Sequence, residues 1–241
     1  ILRLAQDYGI KSIDTAKDYG DCEFKLGKFK LENFDVSTKI TNLSFCKNNV
    51  KDFLIKEVKN SLQSLNIKTL DTLLSHSSQD LLSFRKNEIY DSLSLCKSLN
   101  YCRKIGISCY ASQEVFEILD NYEIDVVQFP LSVFNRDLLT SGLLSNLKNK
   151  GIEVHVRSIF LQGLLLMNRN DLDNYFNPWQ KLLDDWDAWI AENKTTHLDA
   201  CLEFVFKIKD VDKVIVGVDS FSHFEQIINS IKNIKNSKKF P

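Results

Sequence analysis

The stretch Ile13-Asp14-Thr15-Ala16-Lys17-Asp18-Tyr19-Gly20 carries a carboxylate and a phenol five residues apart, where a short apolar strand runs out into a loop. A phenol gives up its proton reluctantly near neutrality, its ordinary pKa being about 10. A phenol used as an acid therefore needs a cation beside it. Lys39, at the end of the apolar run Val36-Ser37-Thr38-Lys39-Ile40, is the candidate. His76 closes the next such run, Leu70 to Ser75. Asp14, Lys39 and His76 thus stand at three successive strand ends, and Tyr19 follows the first. Together they could hold and protonate an oxygen atom. Taken singly, each has an ordinary alternative: a loop cap for Asp14, a surface lysine, a packed tyrosine, a satisfied histidine.

The elements that must position these residues follow from periodicity. Val50, Phe53, Leu54, Val58, Leu62 and Leu65 recur at helical spacing and predict a helix over 50–65 with one buried stripe. Strands are predicted at 11–15, 36–40, 70–75, 104–108, 125–129, 153–160 and 213–218. Helices are predicted at 1–8, 23–29, 50–65, 88–99, 112–119, 138–150, 178–192, 196–207 and 221–235, with Ser112 as an N-cap. The segment 163–177 reads as a loop over one face. Strand and helix alternate throughout, which selects a parallel sheet with helical crossovers. A barrel and an open doubly wound sheet both satisfy that alternation. No linker or repeat interrupts it, so residues 1–241 are expected to form a single domain.

With 241 residues, 44% hydrophobic, 26% charged and a net charge of −1, the chain can bury a large core and has no polyanion-seeking charge. The lysine-rich run from Lys232 to Lys239 reads as a solvated helix end, so nucleic acid is not an expected partner. No apolar run approaches the ~18 residues of a membrane span. Cysteines at 22, 46, 96, 102, 109 and 201 include no C-x-x-C pair, so zinc and a disulfide framework are not expected. Reduced thiols fit a cytoplasmic protein.

The Asp14, Tyr19, Lys39 and His76 set resembles the tetrad of the aldo-keto reductase family, and the likeness extends along the chain. Asp14-Thr15-Ala16 through Tyr19-Gly20, with Glu23 and Leu26-Gly27, is similar to the family's opening signature. Gly106-Ile107-Ser108-Cys109-Tyr110 and Val127-Gln128 are similar to its mid-chain cofactor strands. Arg157 to Leu165 and Val214 to Ser220 are similar to its last two strand ends. The resemblance implies a (β/α)8 TIM-type barrel, of which seven strands are counted here and the first is expected before Ile1. It also implies reduction of an aldehyde or ketone, with hydride from NADPH or NADH, no metal, and a small carbonyl compound as partner.

Carried over residue by residue, the resemblance gives Ser108 and Gln128 the nicotinamide carboxamide, with Cys109 where the family usually has Asn. Arg157 stands where a stacking Tyr is common. Ser158, Leu161, Gln162 and Gly163 match the pyrophosphate loop. Gly217, Asp219, Ser220 and Gln226 match the adenosine end, where Asp219 suits a ribose hydroxyl better than a 2′-phosphate. Ser220 could equally be an N-cap, with Phe221 in the core. The variant with Arg-Ser-x-Phe-Leu-Gln-Gly-Leu-Leu and Gly-Val-Asp-Ser resembles a bacterial branch of the family associated with surface-sugar pathways, which implies a sugar-derived carbonyl. The rival expectation is a barrel-derived fragment or interaction protein that keeps the tetrad without holding cofactor.

Overall fold

The computed structural model describes residues 1–47 and 49–236; the end of the lysine-rich run, residues 237–239, lies outside them. In chain order the elements are α1 (Leu2–Asp7), β1 (Ser12–Asp14), α2 (Cys22–Leu26), β2 (Asp35–Ile40), α3 (Val50–Leu65), β3 (Leu70–Ser75), α4 (Gln79–Leu82), α5 (Lys86–Ser98), β4 (Cys102–Ser108) and α6 (Ser112–Leu119). They continue with β5 (Val126–Pro130), α7 (Asp137–Thr140), α8 (Leu143–Asn149), β6 (Glu153–Arg157), α9 (Gln180–Glu192), α10 (His197–Phe206), β7 (Lys213–Val214) and α11 (Phe221–Asn236). The sheet runs in chain order from β1 to β7, and each strand from β1 to β5 is parallel to the next. This is the topology of a (β/α)8 barrel, with seven of its eight strands among the described residues.

The chain divides into two compact units. The larger comprises Leu2–Phe129 and Asp137–His155. Strand β3 is covered along all six residues, its Asp71, Thr72 and Ser75 included, as expected of an inner strand of a parallel sheet, whereas β1 is only half-buried. Helix α3 lays Val50, Leu54, Val58, Leu62 and Leu65 into the core, each contributing about 2 kcal/mol by burial. Asn49 caps its start, accepting from the Asp52 N–H at 3.2 Å, and Asn66 ends it in the left-handed region at φ +53°. Gly106 sits inside β4 because a Cβ there would lie 1.9 Å from the Val126 carbonyl oxygen. The β4 and β5 backbones approach too closely for any side chain.

The smaller unit comprises Ile1, Pro130–Arg136 and the chain from Val156 onward. Val133, Leu165, Trp186, Ile190, Ala200 and Cys201 form its buried cluster, with Phe134, Phe160, Leu161 and Phe204 packed against it. Strand β7 pairs with the end of β6 through the Ile215 N–H and the Val156 carbonyl at 2.7 Å.

Several boundaries differ from the periodicity reading. The helix expected over 138–150 is two, α7 and α8, because Gly142 turns at φ +76° between them. Ser112 is not an N-cap. Its N–H and hydroxyl both donate to the Asp137 carboxylate, at 2.8 and 2.9 Å, and Ala111 takes the cap position. The 163–177 loop contains three short 3-10 turns. Strand β7 stops at Val214 rather than Val218, and the four-residue α4 has no counterpart in the prediction.

Candidate active site

In the larger unit the parallel register brings the predicted strand-end residues together. Ile13 pairs with Val36 and Asp14 with Ser37, while Lys39 is level with Leu74 and Ile40 with Ser75. Lys39 is only 1% exposed, and a lysine so buried must find partners or lose its charge. It donates to Asp14 Oδ2 and, at 3.0 Å, to the Thr15 carbonyl. Its ammonium also lies 5.2 Å from the centroid of the Tyr19 ring. The His76 ring meets Tyr19 edge-on, with centroids 5.9 Å apart. Tyr19 itself is 46% exposed. A buried cation, a phenol open to solvent and an imidazole therefore converge, with the carboxylate behind them.

Ser108 and Gln128 are adjacent in register, and both are buried. The Gln128 amide nitrogen donates to Asp14 Oδ1 at 2.8 Å, so Asp14 accepts from Lys39 on one oxygen and from Gln128 on the other. The Gln128 Oε1 atom is buried with no hydrogen-bond partner among the described residues. A buried acceptor lacking a donor is the feature a carboxamide N–H would satisfy. Cys109 is buried beside it, and its thiol faces the Gln128 carbonyl oxygen at 3.5 Å.

In the smaller unit a cavity of about 700 Å³ is lined by Ser158, Gln162, Gly163, Gly217, Asp219 and Gln226, among others. Its wall is conformationally costly. Ser158, Leu161, Gln162 and Gly163 all have positive φ, at +58°, +48°, +56° and +93°, and each non-glycine in that region costs roughly 1–2 kcal/mol. Such a run persists where the surroundings impose it, and it clusters at functional sites. The loop turns on itself through Leu161 N–H to the Ser158 carbonyl at 2.9 Å and Gly163 N–H to the Phe160 carbonyl at 3.0 Å. A glycine-poor loop that nonetheless holds left-handed backbone keeps that shape through its surroundings.

Not every expected residue lines this cavity. Leu161 packs against the apolar cluster instead. Arg157 donates to the Ser158 hydroxyl at 3.2 Å. Ser220 caps α11, its hydroxyl accepting from the His223 N–H at 3.1 Å. Phe221 is 52% exposed rather than in the core. Two residues that sequence reasoning missed do line the cavity, His197 and His223. Both follow helix-start signals, Thr196 and Ser220, and a histidine in the first turn of a helix beside a cofactor loop was the available clue.

Among the described residues no cluster of His, Cys, Asp and Glu could hold a metal ion. Burial pushes the Cys96 thiol up to about 11 and Cys201 to about 12. No described helix is long and apolar enough to cross a membrane.

Aldo-keto reductase AKR11C1 from Bacillus halodurans superimposes over 100% of this chain and 81% of its own, at 19% identity and a TM-score of 0.75. The thermostable aldo-keto reductase Tm1743 does so over 96% and 80%, at 18% identity and a TM-score of 0.71. These likenesses establish the barrel fold. No curated protein is significantly similar in sequence. The sequence model of the aldo/keto reductase family, however, matches residues 1–240. The chain therefore belongs to the aldo/keto reductase family, whose members are oxidoreductases that act on carbonyl compounds with NADPH or NADH.

Proposed function

We propose that this chain reduces an aldehyde or ketone to the alcohol, with Tyr19 giving the proton to the carbonyl oxygen. The observation that carries this reading is the buried Lys39 ammonium, bound to Asp14 and 5.2 Å from the Tyr19 ring. A positive charge there favours the phenolate that develops as the proton leaves. Asp14 keeps that lysine charged in a buried setting and fixes its direction. His76, packed edge-on against Tyr19, is placed to hydrogen-bond the same carbonyl oxygen and orient it. A bound reduced nicotinamide supplies hydride to the carbonyl carbon. Tyr19 is exposed enough to regain its proton from water, so the net change is one hydride and one proton added across C=O.

Ser108 and Gln128 would hold the carboxamide, hydroxyl against its oxygen and the unpartnered Oε1 against its amide hydrogen. Ser158, Gln162 and Gly163 would meet the diphosphate, and Gly217, Asp219 and Gln226 the adenosine end.

The test is Tyr19→Phe. Binding of NADH and NADPH is followed by nicotinamide fluorescence and turnover by reduction of 4-nitrobenzaldehyde. The expected result is cofactor binding retained and reduction lost. Equal loss of both would make Tyr19 structural, and full retention of reduction would remove it from the chemistry.

A further inference from the structure

Arg169 and Asp187 lie outside the residues named above, and with His197 their geometry joins two walls of the cavity. Arg169 grips the Asp187 carboxylate with two hydrogen bonds, from Nε at 2.8 Å and Nη2 at 2.6 Å. Its remaining Nη1 donates to the Leu164 and Met167 carbonyls, at 3.4 and 3.3 Å. Those carbonyls belong to the turn that continues the strained loop, and Leu166 and Met167 of that turn line the cavity. On the other side, His197 Nε2 lies 2.7 Å from Asp187 Oδ1, and His197 lines the cavity from the start of α10. The His197 ring is also held edge-on by Trp186 at 5.9 Å.

The strained backbone from Ser158 to Gly163 needs an external brace. Leu165, fully buried in the apolar cluster, and Phe160 and Leu161, packed against it, anchor the loop on its apolar side, but apolar contacts do not fix the direction of the carbonyls at 164 and 167. A bidentate arginine fork fixes direction as well as distance. Through it one carboxylate on α9 sets both the turn at 164–167 and the imidazole at 197. Although burial alone would raise the Asp187 carboxyl, hydrogen bonds from Arg169 and His197, together with their charges, hold it below the usual carboxylate range.

We infer that Asp187, which does not itself line the cavity, is a positioning residue for dinucleotide binding: with Arg169 it clasps the strained loop, and with His197 it fixes the facing wall. The inference rests on the reading of this cavity as the dinucleotide site.

Titration calorimetry with NADH and NADPH tests it on the wild type, Asp187→Asn and Arg169→Lys. Asp187→Asn is expected to weaken the better-bound dinucleotide by about tenfold or more, the equivalent of one charge-assisted bond. Arg169→Lys, which keeps the charge but loses the fork, should do nearly the same. With 4-nitrobenzaldehyde, the cofactor KM of Asp187→Asn should rise far more than kcat falls at saturating cofactor. If Asp187→Asn does not fold, Arg169→Lys decides. Binding unchanged in a folded Asp187→Asn or in Arg169→Lys overturns the clasp while leaving the proposed activity standing. A wild-type chain that binds neither dinucleotide overturns the cavity's assignment, and the clasp's role with it.

Discussion

Replacing Lys39 by Met removes the buried ammonium beside Tyr19 while keeping an unbranched side chain of similar length. Across the 5.2 Å from ammonium to ring centroid, Coulomb's law with an effective dielectric of about 20 gives about 3 kcal/mol in favour of the anionic ring. If that stabilisation is expressed in the transition state, its loss lowers kcat by roughly 10²-fold. The same change strands Asp14, which is left with the Gln128 amide as partner. Breaking a buried pair from one side costs about 3–5 kcal/mol of stability, so a low kcat alone would be ambiguous. The double variant Asp14→Asn with Lys39→Met removes both charges and should recover most of that stability without recovering rate. Reduction of 4-nitrobenzaldehyde, cofactor binding by nicotinamide fluorescence and urea unfolding are measured on the same preparations. A single variant with wild-type kcat, or a double variant in which activity returns along with stability, would refute the electrostatic role assigned to Lys39.

Three further outcomes follow from particular contacts. Asp219→Arg should shift affinity from NADH toward NADPH, because a carboxylate lining the cavity opposes a 2′-phosphate and a guanidinium attracts it; an unchanged ratio of dissociation constants would place residue 219 away from that end of the dinucleotide. Gly106→Ala should cost about 3 kcal/mol in urea unfolding, since its Cβ would meet the Val126 carbonyl at 1.9 Å and force β4 and β5 apart; an unmoved midpoint would mean the strands separate freely. The Asp187 carboxyl, lowered in the folded chain by Arg169 and His197 against the opposing effect of burial, contributes stability that is complete above its unfolded pKa of about 3.9 and lost as pH falls through the folded value. The gap in Tm between wild type and Asp187→Asn should therefore close as pH falls below about 4; a gap that widens below that pH would contradict the sign.

The strand ends were legible because a parallel sheet buries both faces of its strands, so a lysine or an aspartate at the end of an apolar run stands out against its neighbours. Lys39 and Asp14 are such residues; Gln128, in the middle of β5, is singled out by the family resemblance and not by its run. What periodicity could not reveal are contacts fixed by tertiary competition. Ser112 has the side chain of an N-cap, yet the Asp137 carboxylate, 25 residues away, takes both of its donors. Helix 138–150 has a continuous apolar stripe, but Gly142 permits the left-handed turn that divides it. Arg169, Asp187 and His197 sit in segments that read as loop, helix and helix start, and nothing local indicates that one carboxylate joins all three. The strained loop hid for a related reason: Leu161 and Gln162 are unremarkable in sequence and hold positive φ only under the constraint of their surroundings.

Asp14 links two parts of the proposed site that the sequence treats as separate. One of its oxygens accepts from Lys39 and the other from Gln128, so the acid-base pair and the carboxamide residue share a single carboxylate. With the Gln128 amide hydrogens directed to Asp14, its oxygen remains as an acceptor, complementary to a carboxamide N–H and not to a second carbonyl. Had the amide been turned the other way, its oxygen would face the Asp14 carboxylate, a repulsive contact that the buried setting makes costly. On the proposed reading, Asp14 would do two jobs with one charge: it would pair the Lys39 ammonium beside the phenol and set the face that Gln128 offers to a nicotinamide amide. On this reasoning, neutralising Asp14 should disturb cofactor affinity and proton transfer together, whereas changing Lys39 alone should act mainly on the second.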